Sequence, residues 1–198
     1  MSCDISQGEV SEVLKRTGVL LEGHFRLTSG RHSARYLQCA QVLQYPQEAS
    51  RLAKALAGRF AKDQVDVVVG PAIGGIILAY EVARHLGARA LFAERQDGAM
   101  ALRRGFQIRP GERVLVVEDV ITTGGSVHEV IRLVRDLGGQ VVGVGVLVDR
   151  SDGQADFGYP LQSLLQIDIT TYPPQDCPLC KQGLPAIKPG SRPEGCGQ

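Results

Sequence analysis

Two adjacent carboxylates, Glu118 and Asp119, follow an apolar run and precede a bend that is rich in hydroxyl groups and glycine. The bend, residues 122–126, reads Thr-Thr-Gly-Gly-Ser. Its glycines permit positive φ, so backbone N–H groups can close around an anion. A helix that begins near Gly125 would add free amide groups and the positive end of its dipole. This combination predicts a binding site for a monophosphate.

The acidic pair narrows the choice of ligand, because two carboxylates do not themselves favour a phosphate. They should instead face hydroxyl groups, and a ribose 2′,3′-diol that carries the phosphate fits this requirement. The simpler alternative, a buried strand followed by a capped helix, accounts for one hydroxyl and one glycine but leaves the acidic pair unexplained. No G-x-x-x-x-G-K-[ST] is present, and Gly143-Val-Gly145 lies inside an apolar run, so neither a P-loop nor a dinucleotide fingerprint is indicated.

The elements that must position these residues alternate between helix and strand. Four helices are expected: at 6–17, from Pro46 onward, from the 70–75 turn to about Leu86, and at 125–137. Residues 25–31 and 36–39 suggest a hairpin joined through Ser29-Gly30. Strands are expected at 65–69, 88–93, 113–118 and 141–148, with 161–169 as a candidate fifth, whereas 96–105 fits no periodicity. Valine-rich strands without polar alternation predict an α/β fold with a mostly parallel sheet covered on both faces. Such sheets bind ligands beyond the C-terminal ends of their strands, which are followed here by 70–75, 94–105, 118–126 and 149–153.

Composition excludes several classes of function. The chain of 198 residues has 22 basic and 21 acidic residues, a net charge of +1 that gives no electrostatic footprint for nucleic acid or an anionic membrane. The N-terminus lacks the basic and apolar regions of a secretory signal, and no apolar run has the length of a spanning helix, so a cytoplasmic protein is expected. We expect an N-terminal helix and hood in 1–45, a core in 46–172 and an irregular tail in 173–198.

The five cysteines are Cys3, Cys39, Cys177, Cys180 and Cys196. Cys177-Pro-Leu-Cys180 could supply half of a zinc site, but a second ligand pair is not evident from spacing. Reduced thiols in a peripheral tail are the preferred interpretation.

Two motifs resemble those of the type I phosphoribosyltransferases. The stretch Val116-Val-Glu-Asp-Val-Ile-Thr-Thr-Gly124 is similar to the phosphoribosyl-pyrophosphate (PRPP) motif of that family, and Gly70-Pro-Ala-Ile-Gly-Gly-Ile76 resembles its pyrophosphate loop. The resemblance implies the type I phosphoribosyltransferase fold, a mostly parallel central sheet flanked by helices with a small N-terminal hood. It also implies that the acidic pair holds the ribose hydroxyls and that the first bend binds the 5′-phosphate.

The acceptor is indicated by a second resemblance, to orotate phosphoribosyltransferases. Residues 23–33 with Tyr36-Leu37 are similar to the hood that covers the pyrimidine in that group, and Val148-Asp-Arg150 resembles the segment whose arginine contacts the base and its carboxylate. Two departures are that Thr28 stands where many members have lysine, and that 94–105 lacks the lysines and histidine of their catalytic loop. Arg95, Arg103 and Arg104 could supply positive charge there, although a solvated basic loop is the alternative for each.

The resemblance implies transfer of phosphoribosyl from PRPP to orotate, giving orotidine 5′-monophosphate and diphosphate, in a homodimer. Mg²⁺ is the expected cofactor, held mainly through substrate and water rather than by protein ligands. The alternatives are a purine phosphoribosyltransferase and a non-enzymatic regulator that retains the fold. The predicted catalytic residues are Glu118, Asp119 and Arg95. The predicted PRPP-binding residues are Ala72, Ile73, Gly74, Gly75, Arg95, Glu118, Asp119, Val120, Ile121, Thr122, Thr123, Gly124, Gly125 and Ser126. The predicted orotate-binding residues are Thr28, Tyr36, Leu37, Thr122 and Arg150.

Overall fold

The structure, a computed structural model, describes residues 5–27 and 29–189. In chain order its elements are α1 (Gln7–Arg16), β1 (Leu20–Arg26), β2 (His32–Leu37), α2 (Ala40–Leu43), α3 (Pro46–Gly58), β3 (Val67–Pro71), α4 (Gly74–Leu86), β4 (Arg89–Gln96), β5 (Ala99–Leu102), β6 (Arg113–Ile121), α5 (Gly125–Asp136), β7 (Gln140–Asp149), β8 (Leu161–Gln166), β9 (Thr171–Tyr172), a 3-10 turn (Pro174–Asp176) and α6 (Pro178–Lys181). None of the helices in the described ranges is long and apolar enough to cross a bilayer.

A six-stranded sheet forms the centre of the molecule, in the order β5-β4-β3-β6-β7-β8. All neighbours are parallel except β5, which runs antiparallel to β4 at one edge. The predicted α/β fold with a mostly parallel sheet is confirmed. Because β3 and β6 are adjacent and parallel, the loops that follow them leave the sheet at the same edge.

The valine-rich strands are buried on both faces, which is why they show no polar alternation. In β3, Val68 contacts the core shared with helices α1 to α4, whereas Val67 and Val69 contact the core shared with α5. Successive residues of β6 divide in the same way, with Leu115 on the first face and Val116 on the second. This is the period of two that a strand covered on both sides must have.

The helix boundaries follow local signals. Ser6 caps α1 by accepting a hydrogen bond from the Glu9 N–H, and the Glu9 carboxylate accepts one from the Ser6 N–H at 3.0 Å, a capping box. Pro46 is the first residue of α3, and Gly87 ends α4 in the left-handed conformation. The predicted helices are confirmed to within one or two residues.

Residues 96–105 differ from the expectation that no regular structure fits them. Here β4 turns through Asp97-Gly98, both with positive φ, into the antiparallel strand β5. An Asp-Gly pair favours this two-residue hairpin turn, because both central residues need positive φ.

The hood is a three-stranded antiparallel sheet in the order β1-β2-β9, so residues from the end of the chain complete it. The tail from residue 173, which was expected to be irregular, contains two short elements in its described part. A 3-10 turn and α6 follow β9, and the Ile187 N–H donates to the His24 carbonyl oxygen at 2.8 Å. The chain from 171 to 187 therefore packs onto the N-terminal hairpin.

Candidate active site

The loops after β3 and β6 meet at the carboxylate of Asp119. A β-carbon built on Gly74 would lie 2.8 Å from Oδ2 of Asp119 and 3.0 Å from its Cγ. Glycine is therefore required at position 74 if the loop after β3 is to approach the acidic pair this closely. The Ala72–Ile73 peptide in the same loop is cis. The two motifs, distant in sequence, form one site.

The acidic pair sits in a poorly solvated environment at the end of β6. Burial raises the pKa of Glu118 well above its ordinary value, and the neighbouring Asp119 carboxylate raises it further. Burial also raises the pKa of Asp119, although hydrogen bonds, first from Glu118 and then from the Val120 N–H at 2.8 Å, oppose the rise. The pair is thus an acceptor site whose negative charge is incompletely compensated by the protein, which favours a ligand that brings hydroxyl donors or positive charge.

The bend after β6 has the geometry of an anion site. Gly124 adopts a φ of 73° at the N-terminus of α5, and a β-carbon there would lie 2.6 Å from the Phe157 ring. Within the described chain no side chain caps α5, so its first amides are open to a ligand. A cavity of about 260 Å³ lies over this bend; its lining includes Arg95, Glu118, Val120, Ile121, Thr122, Thr123, Gly124, Gly125 and Ser126.

A second, larger cavity of about 880 Å³ joins the hood to the loop after β3. Its lining residues come from seven helices and strands and from two of the loops between them; they are Tyr36, Gln38, Ala40, Leu43, Ala72, Ile73, Gly74, Ile77, Glu94, Arg95, Met100, Asp119 and Ser126. Arg95 and Ser126 line both cavities, which are therefore parts of one cleft. Its combined size suits a substrate larger than a phosphate ion.

Arg150 lies just past the end of β7, and its backbone N–H donates to the Ile121 carbonyl oxygen at 2.9 Å. The Nε atom of Arg150 is buried and has no hydrogen-bond partner among the described residues. Burial lowers the pKa of this guanidinium, and Tyr36 is the first of the groups that raise it. A buried donor without an acceptor is costly. Arg150 is not among the residues that line either cavity.

The two predicted hood residues, Tyr36 and Leu37, lie in different environments. Burial and then the Asp119 charge raise the pKa of Tyr36, and both residues line the larger cavity. Leu37 is 4% exposed, and its side chain packs in the core beneath the hood. Any contact between Leu37 and a ligand must therefore involve its backbone. Thr28 lies outside the described residues.

The three arginines of the β4–β5 region are paired with glutamates. Arg95 contacts Glu129 of α5 at 2.8 Å, while Arg104 contacts Glu94 at 3.1 Å and Arg103 approaches the same carboxylate at 3.9 Å. All three pairs are partly exposed, so each contributes little to stability. Only Arg95 of the three lines the cleft.

The structure thus brings together most of the residues that the sequence predicted, and adds others. Glu94, Gln38, Met100, Glu129 and Phe157 were not predicted. Glu94 and Met100 lie in the segment 94–105, which the rule for parallel sheets indicated, although neither was named as a site residue. Nothing in the spacing of Gln38, Glu129 or Phe157 indicates a place in the site, because their positions depend on tertiary packing.

The fold and the cleft define a phosphoribosyltransferase, and a family model described as "Phosphoribosyl transferase domain" matches residues 38–172. More specifically, the chain belongs to the orotate phosphoribosyltransferase family. It is 61% identical over 188 residues to the orotate phosphoribosyltransferase of Pelotomaculum thermopropionicum, covering 95% of this chain and 99% of that one. It is 60% identical, over 95% of this chain and 98% of the other, to that of Desulforamulus reducens. The crystal structure of orotate phosphoribosyltransferase from Aeropyrum pernix superposes with a TM-score of 0.69 at 29% identity, covering 80% of this chain and 93% of that one.

Proposed function

We propose that this chain transfers the phosphoribosyl group of PRPP to N1 of orotate, releasing diphosphate, in the biosynthesis of pyrimidine nucleotides in the cytoplasm. A bond forms between orotate N1 and ribose C1 while the C1–oxygen bond breaks; the leaving diphosphate takes the electron pair of that bond and accepts the proton that N1 gives up. The observation that carries the proposal is the position of Asp119, between the loop after β3 and the bend after β6.

Each part of the donor has a matching part of the cleft. The bend 122–126 and the N-terminus of α5 suit the 5′-phosphate. Glu118 and Asp119 suit the ribose hydroxyls, and the loop 72–75 with Arg95 suits the diphosphate. This arrangement puts C1 of the ribose in the larger cavity, where Tyr36 of the hood can cover a flat ring.

The acidic pair has an electrostatic reason to favour the transition state. Both carboxylates have raised pKa values because they are buried, so their ionised forms are poorly stabilised by the protein alone. Positive charge that develops on the ribose near C1 would stabilise those ionised forms. This charge is larger in the transition state than in bound PRPP, so the stabilisation is also larger there. Such differential stabilisation is what accelerates a reaction.

Arg150 and Mg²⁺ complete the proposal. The unpaired Nε of Arg150, close to Tyr36, suits the orotate carboxylate, because a guanidinium fork matches a carboxylate. Mg²⁺ would be held mainly through oxygens of PRPP and water, because the two carboxylates of the cleft are assigned to the ribose hydroxyls. When bound, the ion would neutralise charge on the diphosphate.

The test is an absorbance assay of orotate consumption with PRPP and Mg²⁺, followed by the same assay on Asp119→Asn. The variant should fold normally and lose about 10²-fold or more in turnover, because it removes a buried charge that acts in the transition state. Near-normal turnover in Asp119→Asn would contradict the assigned role. The same assay with a panel of purine bases tests the alternative of a purine phosphoribosyltransferase, which would use a purine in place of orotate. PRPP binding without diphosphate release would instead indicate a non-enzymatic regulator.

The homodimer expected from the resemblance has one supporting feature. Ile73, just before α4, and Ile77 and Tyr80 within it are exposed apolar residues, with Tyr80 63% exposed, and Ile73 and Ile77 also line the larger cavity. Surface rows of large apolar residues mark interaction sites. Tyr80→Glu should convert a dimer to a monomer in light scattering; a wild-type chain that is already monomeric at assay concentration would contradict the proposal.

A further inference from the structure

Four side chains with metal-binding atoms converge at the junction between the hood and the C-terminal segment. His24 lies in β1, His32 begins β2, Cys177 follows the 3-10 turn, and Cys180 lies in α6. Their ligand atoms all lie within 4.8 Å of one another. His24, His32 and Cys177 are buried, whereas Cys180 lies at the surface. This His₂Cys₂ cluster lies outside the cleft described above.

Three sulfur–nitrogen distances within the cluster are close to the edges of a zinc tetrahedron, and all of its ligand atoms lie within 4.8 Å of one another. Sγ of Cys177 and Sγ of Cys180 lie 3.5 Å and 3.7 Å from Nε2 of His24, and Sγ of Cys180 lies 3.2 Å from Nδ1 of His32. Zn–N bonds of about 2.0–2.1 Å and Zn–S bonds of about 2.3 Å require ligand atoms about 3.3–3.8 Å apart. The two histidine nitrogens, at 2.8 Å, are the only one of these pairs that must separate appreciably.

The hydrogen bond on the far side of His24 sets its tautomer. Its Nδ1 lies 2.8 Å from the Leu184 carbonyl oxygen, which can only accept, so Nδ1 carries the proton. The Nε2 atom therefore presents its lone pair to the cluster. Zinc-bound histidines usually have such a partner on the other ring nitrogen, because it orients the ring and raises its basicity.

The helix α6 has four residues, too few to be stable by itself. Cys177 is its N-cap and Cys180 lies three residues later, the spacing with which one helical turn presents two thiolates to one ion. Two neutral histidines and two thiolates are the soft tetrahedral set that selects zinc over magnesium or calcium.

We propose that His24, His32, Cys177 and Cys180 bind one Zn²⁺ ion as a structural site. The ion joins the β1–β2 hairpin to the segment that contains α6, beside the backbone hydrogen bonds of Ile187 to β1. Because Tyr36 lies in β2 four residues after His32, the same ion steadies the strand that covers the cleft. The sequence alone favoured reduced thiols in a tail, since its two histidines lie about 150 residues from the cysteines.

The first experiment measures zinc by mass spectrometry in the full chain, purified without a histidine tag from zinc-supplemented cells. Wild type should contain about one zinc per chain. Cys180→Ser, at the exposed position, should reduce that content to less than about one tenth, because a hydroxyl is a poor zinc ligand. The matched controls are Cys39→Ser and His85→Gln, which change a core cysteine and a histidine bonded to Ser50, and both should retain the wild-type content. Zinc in Cys180→Ser equal to that in wild type would overturn the site.

The second experiment does not depend on how the variants fold. Wild type is stripped of zinc and reloaded with Co²⁺, whose visible absorption reports coordination directly. Intense d–d bands of a tetrahedral ion together with a thiolate charge-transfer band support the site. A weak octahedral spectrum, a failure to take up one equivalent of either metal, or a Cys177–Cys180 disulfide in protein kept under reductant overturns it. These readouts use no substrate, so the proposed reaction can stand or fall separately.

Discussion

Replacing Gly74 with alanine would put a methyl group directly against the Asp119 carboxylate. The β-carbon would lie 2.8 Å from Oδ2, whereas ordinary contact begins at 3.4 Å, so the carboxylate must retreat by about 0.6 Å. A misplacement of about 1 Å in an active site can cost about 10²-fold in rate. We therefore expect kcat/KM to fall by about 10-fold to 10²-fold, or about 1.4–2.7 kcal/mol of transition-state stabilisation.

Stability should respond differently from activity. Gly74 is the first residue of α4 and does not have positive φ, so alanine meets no backbone strain there. Alanine is favoured over glycine in helices by up to about 1 kcal/mol, and this gain offsets part of the cost of moving the carboxylate. The free energy of unfolding should therefore stay within about 1 kcal/mol of the wild-type value.

The assay compares orotate consumption with thermal or urea unfolding for Gly74→Ala and for a matched control, Gly8→Ala. Gly8 lies in α1, where the new β-carbon would have only the Ser6 Oγ at 3.9 Å as a neighbour. The control should keep full activity and unfold at the same or a slightly higher temperature. The reasoning fails if Gly74→Ala keeps kcat/KM within about threefold of wild type, or if its activity falls only in step with unfolding.

A double variant shows whether the effect passes through Asp119. If the methyl group acts by displacing this carboxylate, adding Gly74→Ala to Asp119→Asn should cost much less than it does in wild type. If it acts by displacing the backbone amides that suit the diphosphate, the two losses should instead add. Additive losses would contradict the contact that joins the two motifs.

Three further predictions concern single positions. Glu118→Gln should raise the free energy of unfolding by about 0.5–2 kcal/mol at pH 8 while removing most activity. The reason is that burial raises the pKa of Glu118, so ionisation of this carboxyl group lowers the free energy of unfolding. This loss of stability begins as pH rises past 4.5 and is complete above the folded pKa, and glutamine does not have it. Calorimetry should therefore show the gain at pH 8 and its loss below about pH 4.5, and equal unfolding temperatures at pH 8 would contradict it. Arg150→Lys should raise KM for orotate about tenfold and leave KM for PRPP unchanged, because lysine keeps the charge but lacks the fork; equal increases in both would contradict the assignment to the base. Tyr36→Phe should keep KM for orotate near wild type while Tyr36→Leu raises it about fivefold, since only the ring stacks; indistinguishable variants would exclude stacking.

The sequence predicted the central sheet well, because local and tertiary preferences agree there. Val67, Val68 and Val69 are apolar on both faces of β3, and only a strand covered on both sides uses such a run. The capping box at Ser6 and Glu9 is likewise visible in four consecutive residues. Each of these elements is specified within a window shorter than the element itself.

The hairpin of β4 and β5 was missed although its signal is local. Asp97-Gly98 is a strong turn pair, but the flanking Arg95-Gln96 and Ala99-Met100 show weak alternation, so periodicity gave no support. The outcome matters for the site, because the hairpin holds Arg95 in the cleft while Glu94 neutralises Arg103 and Arg104. The three arginines of this one segment therefore differ in what they can contact.

The hood shows why motifs with distant parts escape sequence reasoning. His24 and His32 lie eight residues apart across a hairpin, and their register in β1 and β2 brings them together only if the turn closes as it does here. The cysteines join them because β9 pairs with β2 at His32 and Ser33, which aims the following residues back at the hairpin. A two-residue strand thus decides whether Cys177 and Cys180 face solvent or two imidazoles. Hydrophobic periodicity cannot detect a strand so short. A rule that accepts zinc sites only from ligand pairs close in sequence therefore predicts the wrong environment for these thiols.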